Sequence, residues 1–253
     1  MKPGLRYALL GLAAYLVFLI ALMPAHWAVR FLPREVETAG VSGSVWHGHA
    51  ARIRYAGYRL DDVDWRVRAP YRLLWAQLPL RLRIEKGSVS GFTSLVLSPR
   101  SLTLEDSDLN INLEVFERAL RRFRVHLGGM PVHLAAETLE LRRAGPGAAR
   151  GTMRWDQAAV RSPVALSLGT LNLDLSDAEG GWVGALSNDS QEIRIGGRIR
   201  VGEGWAWSSE IRLAPGPRAD ERLRQALPLL GQPDRSGTVV LKASGRLAST
   251  PQG

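Results

Sequence analysis

Hydrophobic and polar positions follow two different rules along this chain. Residues 7–23 form an apolar run without a charge, an Asn, a Gln or a Pro, and nothing later approaches it. At helical rise the run spans about 25 Å, and Leu5 with residues 25–27 extends it towards a hydrocarbon core of about 30 Å. One transmembrane helix is predicted, its surface carried by Tyr7, Leu9, Leu12, Tyr15, Leu16, Phe18, Leu19 and Leu22. Lys2 and Arg6 precede it with no acidic residue, whereas Arg30 and Arg34 after it are mixed with Glu35 and Glu37. That bias predicts a cytoplasmic amino terminus and an exported remainder. A cleaved leader would share the basic head, but the candidate pairs Met23/Ala25 and His26/Ala28 lack a small residue at the first position. An uncleaved anchor over residues 1–28 is therefore expected.

After a connector over residues 29–40 the period changes to two. Ile53 and Tyr55 alternate with Arg52 and Arg54; Val63, Trp65 and Val67 with Asp62, Asp64, Arg66 and Arg68; Leu80, Leu82 and Ile84 with Arg81, Arg83 and Glu85. Such alternation predicts half-buried strands with one wet face. Glycines 40, 43 and 48 around Val45 and Trp46 predict a tight turn feeding a strand. Pro70 ends one run and Pro79 opens another. Leu109, Ile111, Leu113 and Val115 continue the rule, and then Phe116, Ala119, Leu120 and Phe123 share a helical face over residues 115–123.

Strands resume at Leu139 and Leu141, followed by a loop over residues 144–149 and the motif Gly151-Thr-Met-Arg-Trp155. Residues 164–175, 193–201, 205–213 and 239–243 read as further strands. A second helix is expected over residues 218–230, with Leu223, Ala226, Leu227 and Leu230 on one face, Pro228 shortening it and Gly231 stopping it. Residues 249–253 read as a tail. About a dozen strands without a βαβ rhythm predict a mainly β domain over residues 41–248, mostly antiparallel, with one or two short helices. Gly43-Ser-Val-Trp46 is echoed by residues 151–155, which suggests two similar halves, about 41–125 and 130–248.

Composition narrows the chemistry. Cysteine is absent, so neither disulfides nor a thiolate metal site is available, and 45% hydrophobic content excludes a multi-span protein. A net charge of +9, nearly all its basic count Arg, points to an anionic membrane surface or an acidic protein. Nucleic acid is excluded for an exported domain. His47 and His49 could share one strand face, but a metal needs further donors that the sequence does not place. Asp61, Asp62 and Asp64 lack the glycine turn and distal Glu of a calcium loop. No phosphate loop follows Gly48 and no nucleophile elbow is present, so no enzyme, cofactor or metal is expected.

The arginine stripes 52/54, 66/68, 81/83 and 194/198/200 read first as a solvated sheet face, and second as a surface for anionic phospholipid or an acidic partner. Trp46, Trp65, Trp155, Trp182, Trp205 and Trp207 read as core, or as the lining of an apolar groove if the sheet curls without closing.

The basic-headed span, then Val41-Ser-Gly-Ser-Val-Trp-His-Gly-His-Ala50, Gly57-Tyr-Arg-Leu-Asp-Asp-Val-Asp-Trp65 and Ala69-Pro-Tyr-Arg-Leu-Leu74, resemble the type II secretion system protein N family. Gly151-Thr-Met-Arg-Trp155 and the closing stretch 223–247 fit the same order, so the resemblance covers nearly the whole chain. It implies a single-pass bacterial inner-membrane protein with a curved, periplasmic β-domain, an accessory part working with other inner-membrane subunits of the secretion machine. Gly43, Trp46, Gly48, Trp65, Pro70, Leu74, Gly151 and Trp155 are its signature positions here, and it offers no catalytic residues. The design is also similar to AsmA-like envelope proteins, whose curved sheets hold lipid, and this supplies the alternative of binding or passing lipid in an apolar groove. About a dozen strands at about 4.8 Å make some 60 Å of sheet, too short to bridge an envelope without oligomers or relay partners.

Overall fold

The computed structural model describes residues 11, 12, 15, 18, 19, 22–30, 32–120, 126–162, 165–234 and 236–246. Most of them enter one antiparallel sheet of 14 strands whose spatial order is the chain order. The strands are β1 (Val36–Gly43), β2 (His47–Tyr55), β3 (Tyr58–Val67), β4 (Leu78–Gly87), β5 (Val89–Leu97), β6 (Ser101–Ile111) and β7 (His126–Gly128). They continue as β8 (Val132–Arg142), β9 (Gly145–Ser162), β10 (Leu166–Ala178), β11 (Gly181–Asn188), β12 (Ile193–Gly202), β13 (Ala206–Pro215) and β14 (Val239–Arg246). Only β7 leaves the path, pairing with β9. Three α-helices are described: α1 (Ala25–Val29), α2 (Leu113–Leu120) and α3 (Glu221–Leu230).

The period-two pattern becomes two rows of cross-strand partners. One crosses every strand of the path as Val41, Ala50, Val63, Ile84, Gly91, Leu109, Leu134, Met153, Leu173, Leu186, Gly197, Ile211 and Leu241, without one polar side chain. The next row, one residue along and on the other face, includes His49, Asp64, Arg83, Asp108, Thr152, Asp174, Arg198, Glu210 and Lys242. A one-residue slip anywhere would put the charges on the apolar face, which is what holds the register.

The sheet curls without closing. Gly204 N donates to Ala144 O at 2.8 Å, joining the turn after β12 to the β8–β9 hairpin. In a flat sheet β9 and β12 would stand about 14 Å apart, so the intervening strands must bend. Register shifts at Phe92/Ser94, Ala136/Thr138 and Ser167/Leu171 supply bulges that permit it. β1 and β14 do not pair, so two edges remain. The accessible surface of 17167 Å² exceeds the ~11,000 Å² expected for a compact chain of this mass, as a single layer should. The inner face is filled at one place by α3, whose Leu223 and Leu227 pack on Leu168, Ile193 and Val239. Asn188 ties the strands beneath, donating to Leu168 O (2.8 Å) and Ile193 O (2.9 Å) and accepting from Ile195 N (2.7 Å).

Several expected boundaries move. Val36 already opens β1 inside the expected connector, and β6 pairs directly with β8 from Ser101 opposite Arg142 to Ile111 opposite Val132. Leu113 and Val115 are helical rather than extended, because Asn112 caps α2: its Oδ1 accepts from Glu114 N and its carbonyl from Val115 N. The loop expected over residues 144–149 is strand from Gly145, since Pro146 sits at a register shift opposite Leu141 and Asp177 Oδ1 accepts from Ala149 N. Trp205 belongs to the 3₁₀ turn Glu203–Trp205, not to β13. Helix α3 starts at Glu221, where Asp220 Oδ1 caps Leu223 N at 2.7 Å, and it runs through Pro228 to Leu230 because a proline in the last turn forfeits few bonds. Phe123, Val164 and the tail 249–253 lie outside the described residues.

Tyr7, Leu9 and Leu16 also lie outside the described residues, whereas Leu12, Tyr15, Phe18, Leu19 and Leu22 are exposed. Among the described residues no helix is long and apolar enough to cross a membrane.

Candidate functional site

The signature positions assemble from the β1–β2 turn. Gly43 sits at φ 85°, a conformation a side chain would strain, and lets the chain reverse through residues 44–46. Gly48 faces Gly43 on one side and Trp65 on the other, and a Cβ on Gly48 would strike the Trp65 ring. Released from that clash, Trp65 lies across β2 and its Nε1 donates to Val45 O at 3.2 Å. Val45 N donates in turn to Met23 O at 3.0 Å, Pro24 bridges to Ser44, and Val67 N donates to Trp46 O at 2.7 Å. Gly43, Trp46, Gly48 and Trp65 therefore fasten the end of the apolar run to the sheet. Pro70 opens the 3₁₀ turn Pro70–Trp75, which includes Leu74 and follows β3 at the same end.

Gly151 and Trp155 are not brought there. Gly151 stands mid-strand opposite Ala136 and Leu175, and Trp155 packs on the cluster around Leu168. The echo between residues 43–46 and 151–155 is thus one of composition: the first motif straddles a turn and the second is continuous strand.

Beside the turn, the charged face of β2, β3 and β4 forms a groove of about 540 Å³ lined by His47, His49, Asp64, Arg66, Arg68, Arg81 and Arg83. His49 Nδ1 lies 3.1 Å from Asp64 Oδ1, while His47 Nδ1 lies 3.3 Å from Ser44 Oγ, so the two imidazoles do not converge. The aspartates separate as well. Asp61, its side chain only 16% exposed, lies between Arg59 Nε (2.6 Å) and Arg52 Nε (3.0 Å). The hydrogen bond from Arg59 leads in holding its carboxyl below the ordinary range. Among the described residues no three His, Asp or Glu side chains gather to hold a metal. Arg66, Arg68, Arg81 and Arg83 pair with no carboxylate among the described residues, which makes the groove a place for an anion.

A second groove, about 600 Å³, follows the opposite edge and is lined by Arg198, Arg200, Glu210, Arg212 and Lys242. Arg212 donates to Glu210 at 2.8 Å and lowers its carboxyl below the ordinary range, with Lys242 adding to the effect. Strand β14 borders this groove. Its start is bridged by Pro233 to Val239, but beyond that its outer side meets no strand of the described residues, and residues 242–246 are exposed.

A family model described as type II secretion system (T2SS), protein N, matches residues 34–242. The chain belongs to the type II secretion system protein N family. The match begins two residues before β1 and ends inside β14, so what the family shares is the sheet. The type II secretion system protein N of Aeromonas hydrophila is 29% identical, covering 98% of this chain and 100% of that one. That of Vibrio cholerae serotype O1 is 25% identical with the same coverages, and that of Pectobacterium carotovorum 22%, covering 98% and 99%. No solved structure matches.

Proposed function

We propose that this chain is a non-enzymatic accessory subunit of type II protein secretion, held in the bacterial inner membrane by residues 7–23. The charge bias around that run supports a cytoplasmic amino terminus and a periplasmic sheet. One observation carries the role: beyond Val239 the outer side of β14, with small residues Ala243, Ser244 and Gly245 beside a charged groove, meets no strand among the described residues. Strand addition there would use main-chain hydrogen bonds for affinity and the flanking charges for selection. Tethering raises the concentration of this edge against other membrane-held subunits, so a weak contact suffices. Photocrosslinking from Ala243 in intact cells should capture another inner-membrane secretion subunit. Recovery of no secretion component from that position, or protease placement of the sheet in the cytosol, would sink the proposal.

A second reading, an AsmA-like lipid carrier, draws on the unbroken apolar row of the inner face. It ranks behind because α3 already fills part of that face and none of the row's large side chains is exposed. Native mass spectrometry of the purified chain separates the two: bound phospholipid favours the carrier, and its absence removes it.

A further inference from the structure

Because successive strands run in opposite directions, their connections fall alternately at two ends of the sheet. Residues 44–46, 68–77, 98–100, 143–144, 179–180 and 203–205 all lie at one end. The bond from Val45 N to Met23 O places the close of the apolar run at this same end, with no spacer between run and sheet. The 3₁₀ turn Pro70–Trp75 carries Tyr71, Leu73 and Trp75 there, exposed by 64%, 41% and 68%. Its shape is held from within: Arg72 N donates to Ala69 O, Ala76 N to Leu73 O and Gln77 N to Arg72 O, between left-handed caps at Ala69 and Ala76. Exposed Arg68 flanks it and exposed Arg72 belongs to it, Arg100 lies in the β5–β6 turn at the same end, and none of the three meets a carboxylate among the described residues. Exposed Glu179 and Glu203 belong to the turns after β10 and β12, and exposed Asp177, near Arg150, stands just before the first of these.

We infer that the turn Pro70–Trp75 is a membrane-contacting tip: Tyr71, Leu73 and Trp75 enter the headgroup layer, and Arg68, Arg72 and Arg100 bind anionic phospholipid. The inference rests on the anchor reading of residues 7–23. If that run spans the bilayer, the adjoining sheet end stands at the surface, and a rigid apolar tip there has only lipid beside it. Tyr and Trp favour this layer because an apolar ring can sit in it while the polar edge stays wet. Guanidinium forks match phosphate oxygens, and each such contact near an anionic surface adds to the attraction.

The chain contains no cysteine, so Trp75→Cys supplies a single labelling site, and Met130→Cys, 53% exposed at the opposite end, supplies the control. Each full-length variant is labelled with an environment-sensitive fluorophore, reconstituted in phosphatidylcholine bilayers with or without phosphatidylglycerol, and challenged with headgroup-depth nitroxide lipids. Quenching at residue 75 should exceed that at residue 130 by about threefold, and phosphatidylglycerol should increase it. Replacing Arg68, Arg72 and Arg100 by Gln should remove that increase. Equal quenching at both sites in a chain that floats with the vesicles overturns the tip and leaves the anchor intact. Quenching indifferent to phosphatidylglycerol overturns the charge recognition. A chain that fails to float removes the anchor reading, and the tip falls with it.

Discussion

The two ends of the sheet solve the same problem differently. At the end opposite the apolar run, two helices supply cover: α3 packs Leu227 into the curl, and α2 reaches back to the β2–β3 hairpin. There Arg118 lies 4.8 Å from the Tyr58 ring centroid and donates to Ala56 O, while Glu117 accepts from Leu127 N at 2.7 Å. Some charges at that end are matched, with Arg52 and Arg59 on Asp61 and Arg54 near Glu37, whereas exposed Lys86, Arg161 and Arg194 meet no carboxylate among the described residues. The end adjoining the run has turns and the start of α1, with Arg68, Arg72 and Arg100 meeting no carboxylate among the described residues and aromatic side chains left in the open. One end of the sheet thus carries α2 and α3, while the other presents Tyr71, Leu73 and Trp75 to solvent, the arrangement the proposed membrane-contacting tip requires. The contrast also locates stability: it lies in the covered end, and the bare end is free to serve contact.

The largest expected effect is at the covered end. Leu227→Ala removes a buried side chain, 3% exposed, and should cost about 3 kcal/mol in denaturant unfolding. The triple change of Tyr71, Leu73 and Trp75 to Ser should move the same curve by less than about 0.5 kcal/mol, because those side chains bury little. If the triple change proves as damaging as Leu227→Ala, the division between ends is wrong. Next, Asn188→Ala strands two carbonyls and one N–H between β10 and β12, and a loss of about 2–3 kcal/mol is expected from the same measurement.

Acid should loosen the charged pairing by a smaller step. Asp61 titrates in the folded hairpin below its ordinary 3.8, so its contribution is full above that value and fades as pH falls through the lowered one. Glu140, beside Arg142, shifts in the same direction. Protection factors over residues 52–61, exchange rates divided by their intrinsic rates at each pH, should therefore fall in the parent as pH drops below 3.8 and stay level in Asp61→Asn. Faster exchange at neutral pH alone would contradict it. Smallest, Ala76→Gly relieves a left-handed alanine at φ 54°, and a gain of about 0.5–1 kcal/mol should appear in thermal unfolding without altering contact at the tip.

Much of this was legible along the chain. Alternation marks the strands because one sheet face must be dry and the other wet, and that requirement repeats every second residue. The short helices were legible in kind but not in extent, since Asn112 and Asp220 set their starts through side-chain caps that periodicity does not register. Gly43, Trp46, Gly48 and Trp65 lie together in the structure because β1, β2 and β3 are sequence neighbours. Gly151 and Trp155 did not join them, for a shared pair of residue types carries no information about register. Asn188 left no trace in the pattern: its three bonds exist only once β10 and β12 are brought to either side of it.

By itself, the order of residues determined a mainly antiparallel sheet, its apolar and charged faces, and a separate apolar run at the amino terminus. These follow from local periodicity, which needs no knowledge of distant partners. Tertiary structure alone decided that the sheet curls but stays open, that α2 and α3 sit at one end, and that the exposed turn Pro70–Trp75 shares the other end with the close of the run. Those outcomes depend on the summed bending of many strands and on contacts between residues far apart in the chain, and no local pattern encodes such a sum.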